Sequence, residues 1–156
     1  MTGCPGRKLR TILFLSLLIG LLGCQSGPRV VISTTSGKDL ALRVEVADGP
    51  EKRALGLQYR TELADDQGML FLFPSATAQS FWMKNTPLPL DMIFIGSNLK
   101  IVGIIHQTVP FSTATLSVPA PSQFVLEIKG GISRRSGIEV GNTVRFENIS
   151  LEGIRG

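Results

Sequence analysis

The sequence predicts a mainly β domain, β-rich α+β in class, built as a compact antiparallel sheet, barrel-like or sandwich-like, with one short helix covering an end. Three observations predict it. Apolar residues alternate with small or charged ones through residues 40–46, which gives one buried and one wet face at period two. Runs rich in Phe, Ile and Val recur down the chain. Gly, Pro, Asn or Ser bounds each of them, as turns require.

Taken in order, the first strand is 40–46, where Leu40, Leu42, Val44 and Val46 share a face. A short helix follows: Asp48 is placed to cap it, Pro50 sits in its first turn with Glu51 beside it, and it runs through Leu55 to stop between Gly56 and Tyr59. Further strands are expected at 69–73, 80–83, 91–95, 99–109, 123–129 and 143–149. Gly96-Ser97-Asn98 separates two apolar runs as a hairpin turn does. After Gly131 the stretch 132–136 has room for a single helical turn and no more. The total is seven or eight strands with little helix.

The first 24 residues read as an address. Arg7, Lys8 and Arg10 precede an apolar run from Ile12 to Leu22, the layout of a secretory signal and too short for the ~20 residues of a spanning helix. The run ends in Leu21-Leu22-Gly23-Cys24, which resembles the lipobox of bacterial lipoproteins. That resemblance implies cleavage after Gly23, lipid on Cys24 and, with Gln25 rather than aspartate following, sorting to the outer membrane, facing the periplasm. The expected division is a signal peptide over 1–23, a lipidated cysteine and short linker over 24–29, and one domain over 30–156. A linker of that length reaches roughly 20 Å at ~3.5 Å per residue, so the domain sits close to its membrane.

Setting the signal aside also changes the charge. The whole chain carries +4, but residues 25–156 hold 13 basic and 12 acidic side chains, a net of +1. This excludes the basic footprint of a nucleic-acid binder. Cys4 leaves with the signal and Cys24 is taken by lipid, so the domain has no thiol for a disulfide, a nucleophile or a metal. His106 is the sole histidine, which excludes a multi-histidine metal site and makes any Ser-His-Asp triad depend on that one position. There is no Gly-x-Ser-x-Gly elbow, phosphate loop or dinucleotide fingerprint, and no cofactor is implied.

Four blocks carry a second resemblance: Glu51-Lys52-Arg53-Ala54-Leu55-Gly56-Leu57-Gln58-Tyr59-Arg60; Gly68-Met69-Leu70-Phe71; Phe81-Trp82-Met83-Lys84-Asn85-Thr86-Pro87-Leu88-Pro89-Leu90-Asp91; and Val125-Leu126-Glu127-Ile128 with Gly130-Gly131 and Gly137-Ile138. In order and spacing they resemble the DUF192 family, also called UPF0127, over residues 40–146. The resemblance implies a compact, mostly β domain, often behind a signal peptide or lipobox. It implies no activity.

Polar groups crowd into one otherwise apolar region, residues 82–91. Lys84 and Asp91 lie seven apart with Pro87 and Pro89 between them, and a turn through 86–89 would set the ammonium beside the carboxylate. On a structural reading this is a corner: Asn85 and Thr86 satisfy turn backbone, and Asp91 pairs with Lys84 or Arg60. On a functional reading Phe81, Trp82 and Met83 flank a cleft whose polar contacts are Arg53, Arg60, Lys84, Asn85 and Asp91. Should the two arginines and the lysine converge, a small anionic ligand is the natural partner. Glu127 shares a face with Val125 and is either a cleft-facing carboxylate or the cross-sheet partner of an arginine.

The expectation is therefore a non-enzymatic envelope module, held to the membrane by its lipid, that binds a small ligand or an envelope protein through these residues, with no catalytic group, metal or nucleic acid. Two alternatives stand beside it. One is a hydrolase of envelope glycans or esters that uses Asp91 and Glu127, or Lys84; the other is a purely structural lipoprotein.

Overall fold

The computed structural model describes residues 27–35 and 37–154; the signal segment, Cys4 and Cys24 lie outside them. Nine strands and two short helices follow one another: β1 (Arg29–Ser33), β2 (Asp39–Ala47), α1 (Pro50–Leu55), β3 (Gln67–Thr77), β4 (Ser80–Phe81), β5 (Leu90–Ile95), β6 (Ile101–Ile105), β7 (Leu116–Ser117), β8 (Ser122–Lys129), α2 (Ile132–Arg135) and β9 (Thr143–Glu147). Seven strands form one sheet in the order β6-β5-β8-β3-β2-β1-β9, and β4 pairs with β7 in a separate ribbon. The large sheet curls until its edges meet: Lys100 bridges Thr143, and the Val144 N–H donates to the Leu99 carbonyl at 2.8 Å. This contact joins the two edges at one end, around Lys100 and Thr143.

Both faces of the central strands are buried, and the sequence explains how. In β3, Leu70 and Leu72 point into the curl while Met69 and Phe71 point out; in β5, Ile93 and Ile95 point in while Met92 and Phe94 point out. Strands covered on two sides read as unbroken apolar runs, and all six residues of β5 are buried. The inner cluster gathers Val30, Ile32, Leu42, Leu126 and Val144 around those side chains. Outside, Leu57, Leu63, Met83 and Leu90 cover Met69, Phe71, Met92, Phe94 and Val125. Each such side chain contributes about 1.5–3 kcal/mol by leaving water.

The mainly β class holds, four local expectations are corrected, and a fifth, the helical turn after Gly131, is met. The sheet is mixed: β2 and β3 run parallel, from Arg43 opposite Gln67 to Ala47 opposite Phe71, because α1 and the loop after it carry the chain back to the same end. Asp48 is not the helix cap. Gly49 holds that position without a side-chain bond, and the Asp48 carboxylate accepts from Lys52 at 2.9 Å instead. β1 was absent from the sequence pattern because Val30-Val31-Ile32 is too short and too uniformly apolar to show alternation. The strand expected over 99–109 stops at Ile105, where the chain turns to deliver the Gln107 N–H to Asp91. The single turn after Gly131 is a real, second helix, α2.

Candidate functional site

The expected polar corner divides between two faces of the sheet. The Asp91 carboxylate is wholly buried at the end of the curl. It accepts from the Gln107 N–H at 2.7 Å, the Gly131 N–H at 3.0 Å to each oxygen, the Ser133 N–H at 2.9 Å and the Ser133 hydroxyl at 2.6 Å. Gly131 reaches this geometry with φ of +89°, which a side chain would strain. Burial pushes the Asp91 pKa up, but the Ser133 side chain and the backbone donors of Gly131, Gln107 and Ser133 outweigh it and hold the group below its ordinary value. Neither Lys84 nor Arg60 is its partner, contrary to expectation. Its donors are N–H and O–H groups from two loops and the start of α2, which bury a carboxylate without a counter-charge.

Ser133 also lies 2.8 Å from His106 Nδ1. The order is therefore His106, Ser133, Asp91, with the serine in the middle and fully buried. A nucleophilic triad needs the imidazole between serine and carboxylate, so these three residues serve to tie α2 to the end of β6.

Glu127 stands on the opposite face. In the ladder it faces Met69 on β3 and Met92 on β5, whereas Asp91 faces Ile128. Because successive side chains alternate across a sheet, Asp91 and Glu127 cannot flank one scissile bond. Glu127 is 4% exposed and has no hydrogen-bond partner among the described residues. Burial alone raises its pKa to about 8, so the carboxyl is largely protonated at neutral pH.

This carboxyl lines a cavity of about 300 Å³ whose other walls include Arg53, Phe71, Phe73, Phe81 and Trp82. The aromatic walls are fixed by edge-to-face packing: Phe81 meets Phe71 at 5.2 Å, Phe94 at 6.0 Å and Phe73 at 6.2 Å between ring centres. Arg53 reaches in from α1, donates Nη1 to the Leu72 carbonyl at 2.9 Å, and lies 5.3 Å from the centre of the Phe73 ring. The last turn of the helix, with Leu57 and Gln58 after it, closes that side.

The other candidates surround the cavity or leave it. Trp82 lines it yet is 51% exposed, and Lys84 stands 5.3 Å over the indole instead of reaching Asp91. Asn85 joins the two loops at the rim: its amide donates to Gln58 Oε1 and to the Tyr59 hydroxyl, while the Tyr59 N–H donates to the Asn85 carbonyl. Tyr59 and Asn85 both have positive φ, 63° and 55°, an outlying conformation for a tyrosine. Met83 is core, not cleft: it is 1% exposed and its sulfur receives the Thr108 hydroxyl at 3.2 Å. Arg60 pairs with Glu45 elsewhere on the surface. The two arginines and the lysine therefore do not converge. Phe71, Phe73 and Gln58 were missed, since in sequence they read only as core strand and helix end.

A family model described as Uncharacterized ACR, DUF192, matches residues 31–146. The chain belongs to the DUF192 family. A UPF0127 protein of Pyrococcus furiosus is 25% identical over 124 residues, which span 76% of this chain and 99% of its own. Two solved structures share the fold. One is a Sinorhizobium meliloti protein provisionally named a transcription regulator: TM-score 0.74, 40% identity, covering 78% of this chain and 95% of that one. The other, from Novosphingobium aromaticivorans and of unknown function, has a TM-score of 0.72 and 39% identity over 75% of this chain and 83% of its own.

Proposed function

We propose that this DUF192 protein is a lipid-anchored module of the bacterial envelope that holds a small ligand, without turnover, in the cavity at Glu127. One observation carries the binding reading: a buried carboxyl without a partner faces a cavity walled by aromatic rings. Pockets for small molecules are mostly apolar with a few placed polar groups, and a cavity of this volume lies at the small end of their range. A group left unpaired against apolar walls is destabilising, and such groups concentrate where a protein uses them. Trp82 at the mouth and Arg53 at one wall complete the set that Glu127 begins.

A hydrolase using Asp91 and Glu127 loses support, because the sheet lies between them. Reading DNA, which the name of the Sinorhizobium relative brings to mind, needs an element that enters a groove with basic contacts. The helices described here have six and four residues, and Arg43, Arg60, Arg135 and Arg145 are paired with acids.

Mass spectrometry under native and then denaturing conditions tests the pocket, using residues 27–156 exported without lipid and purified gently. An added mass that leaves on denaturation and is missing from Trp82→Ala supports it; an added mass retained by Trp82→Ala places the ligand elsewhere and overturns it. The anchor has its own test. Replacing Cys24 with alanine is expected to release the protein from the membrane fraction, and a variant that stays in that fraction would sink the lipoprotein reading.

A further inference from the structure

We infer that the cavity takes a small organic cation, a protonated amine or guanidinium on an apolar body, whose N–H groups supply the donors that Glu127 lacks. The inference rests on the pocket reading above and gives its ligand a charge.

Three features of the site point the same way. First, the need is for a donor. Most other buried polar side chains have partners: Asp91 five donor contacts, Thr86 the Lys84 carbonyl, Thr108 the Leu90 N–H, Asn142 the Glu139 N–H; the Ser122 hydroxyl has none, but it is not ionisable. Among the described residues Glu127 is the one buried ionisable group with no hydrogen bond; protonated it has a single O–H to give, and ionised it is satisfied by N–H or O–H groups alone. A cation does more than a neutral donor, because it stabilises the ionised form that burial disfavours.

Second, the walls are cation-accepting surfaces. The faces of aromatic rings are the negative pole of their quadrupole, and desolvated cations bind them most strongly. Two of these rings already show the preference: Arg53 lies over Phe73 and Lys84 over Trp82, each at 5.3 Å. A body small enough for about 300 Å³ would present its charge to Glu127 and its carbon atoms to Phe71 and Phe81.

Third, the geometry disfavours an anion. The one cation lining the cavity is Arg53, whose Nη1 is committed to the Leu72 carbonyl. Leu72 lies three residues along β3 from Met69, the neighbour of Glu127, or ~10 Å at the strand rise. An anion drawn to Arg53 leaves the Glu127 carboxyl unsatisfied, and one placed at Glu127 engages only the protonated acid through its single O–H, whereas a cation pairs with the full charge of the ionised form.

The test uses residues 27–156. In the solved Sinorhizobium structure the matched region makes up 95% of the chain, so a domain of this extent folds without further chain. Trp82 is the single tryptophan and lines the cavity, so its emission reports occupancy. Three probes of one shape are titrated at pH 7 and equal ionic strength: benzylammonium, benzyl alcohol and benzoate. Benzylammonium is expected to bind about tenfold more tightly than either of the others, the scale of a charge-assisted hydrogen bond. In Glu127→Gln it falls to the level of benzyl alcohol, and in Glu127→Asp, which keeps the charge, the preference survives. Benzyl alcohol or benzoate binding as well as benzylammonium, or Glu127→Gln keeping the preference, overturns the cation. No saturable change with any of the three overturns the pocket itself.

Discussion

Asp91 and Glu127 are two carboxyls buried to nearly the same depth on neighbouring strands of one sheet, and they differ in almost everything else. Asp91 lies at the end of the curl, where two loops and the start of α2 surround it with donors. Glu127 lies in mid-strand on the outer face, where backbone donors are already spent in the ladder and the neighbours are Met, Phe and Trp. The first is held charged and the second mostly neutral. A buried charge at a strand end can be satisfied by the fold's own backbone, whereas one at mid-strand finds that backbone already spent and needs a side chain or a ligand. Asp91 therefore builds the structure, and Glu127 is available for use.

Removing Asp91 should break the comparison most visibly. Asp91→Ala strands the Gln107, Gly131 and Ser133 donors in an apolar end, which is expected to cost about 4 kcal/mol in urea unfolding. A loss below ~1 kcal/mol would remove its structural role. Since its folded pKa is lowered, its contribution is present above the unfolded value near 3.8 and is lost as the pH falls through the folded one, so the wild-type margin over Asp91→Ala should shrink in acid.

Glu127 should behave in the opposite sense. Its folded pKa is raised to about 8 from 4.5, so over that window the native state holds a proton that the unfolded chain has released. Stability then falls by ~1.4 kcal/mol per pH unit between about pH 4.5 and 8 and levels off above. Glu127→Gln removes the slope and is expected to be more stable than wild type by roughly 3 kcal/mol at pH 7, with the gap closing near pH 4. Equal stability at both pH values would show that the carboxyl has a partner in solution.

Two smaller effects sharpen the contrast. Ser133→Ala deletes one of the Asp91 donors and its contact with His106, with an expected loss of about 1.5 kcal/mol. Trp82→Ala, half exposed at the mouth of the cavity, should change the midpoint by less than about 1 kcal/mol while abolishing retention of a bound mass. A large stability loss there would place Trp82 with Asp91 among the structural residues.

Much of the site was visible in the sequence as residues and little of it as a site. Glu127 stood out as a lone acid in an apolar strand, and Trp82 and Arg53 as members of polar blocks; all three line the cavity. Lys84, Asn85 and Asp91 came from the same ten-residue stretch as Trp82, yet they went to the indole face, the rim and the far side of the sheet. Proximity in sequence predicts proximity in space only to the next turn, and Pro87 and Pro89 mark where this chain passes from one layer to another. Met83 failed as a cleft residue for a similar reason: the position next to an exposed tryptophan in extended chain points the other way, into the core.

What the sequence determined alone was whatever period, composition and local backbone preference encode. That covers the recurring strands, the helix that begins at Pro50, and the membership in DUF192 that its blocks announced. The tertiary structure alone decided that β2 and β3 run parallel, that the sheet's edges meet, and which of two buried carboxyls receives donors. The physical reason is distance along the chain. The donors to Asp91 come from positions 16 to 42 residues away, brought there by the order of strands, and no local pattern records that order.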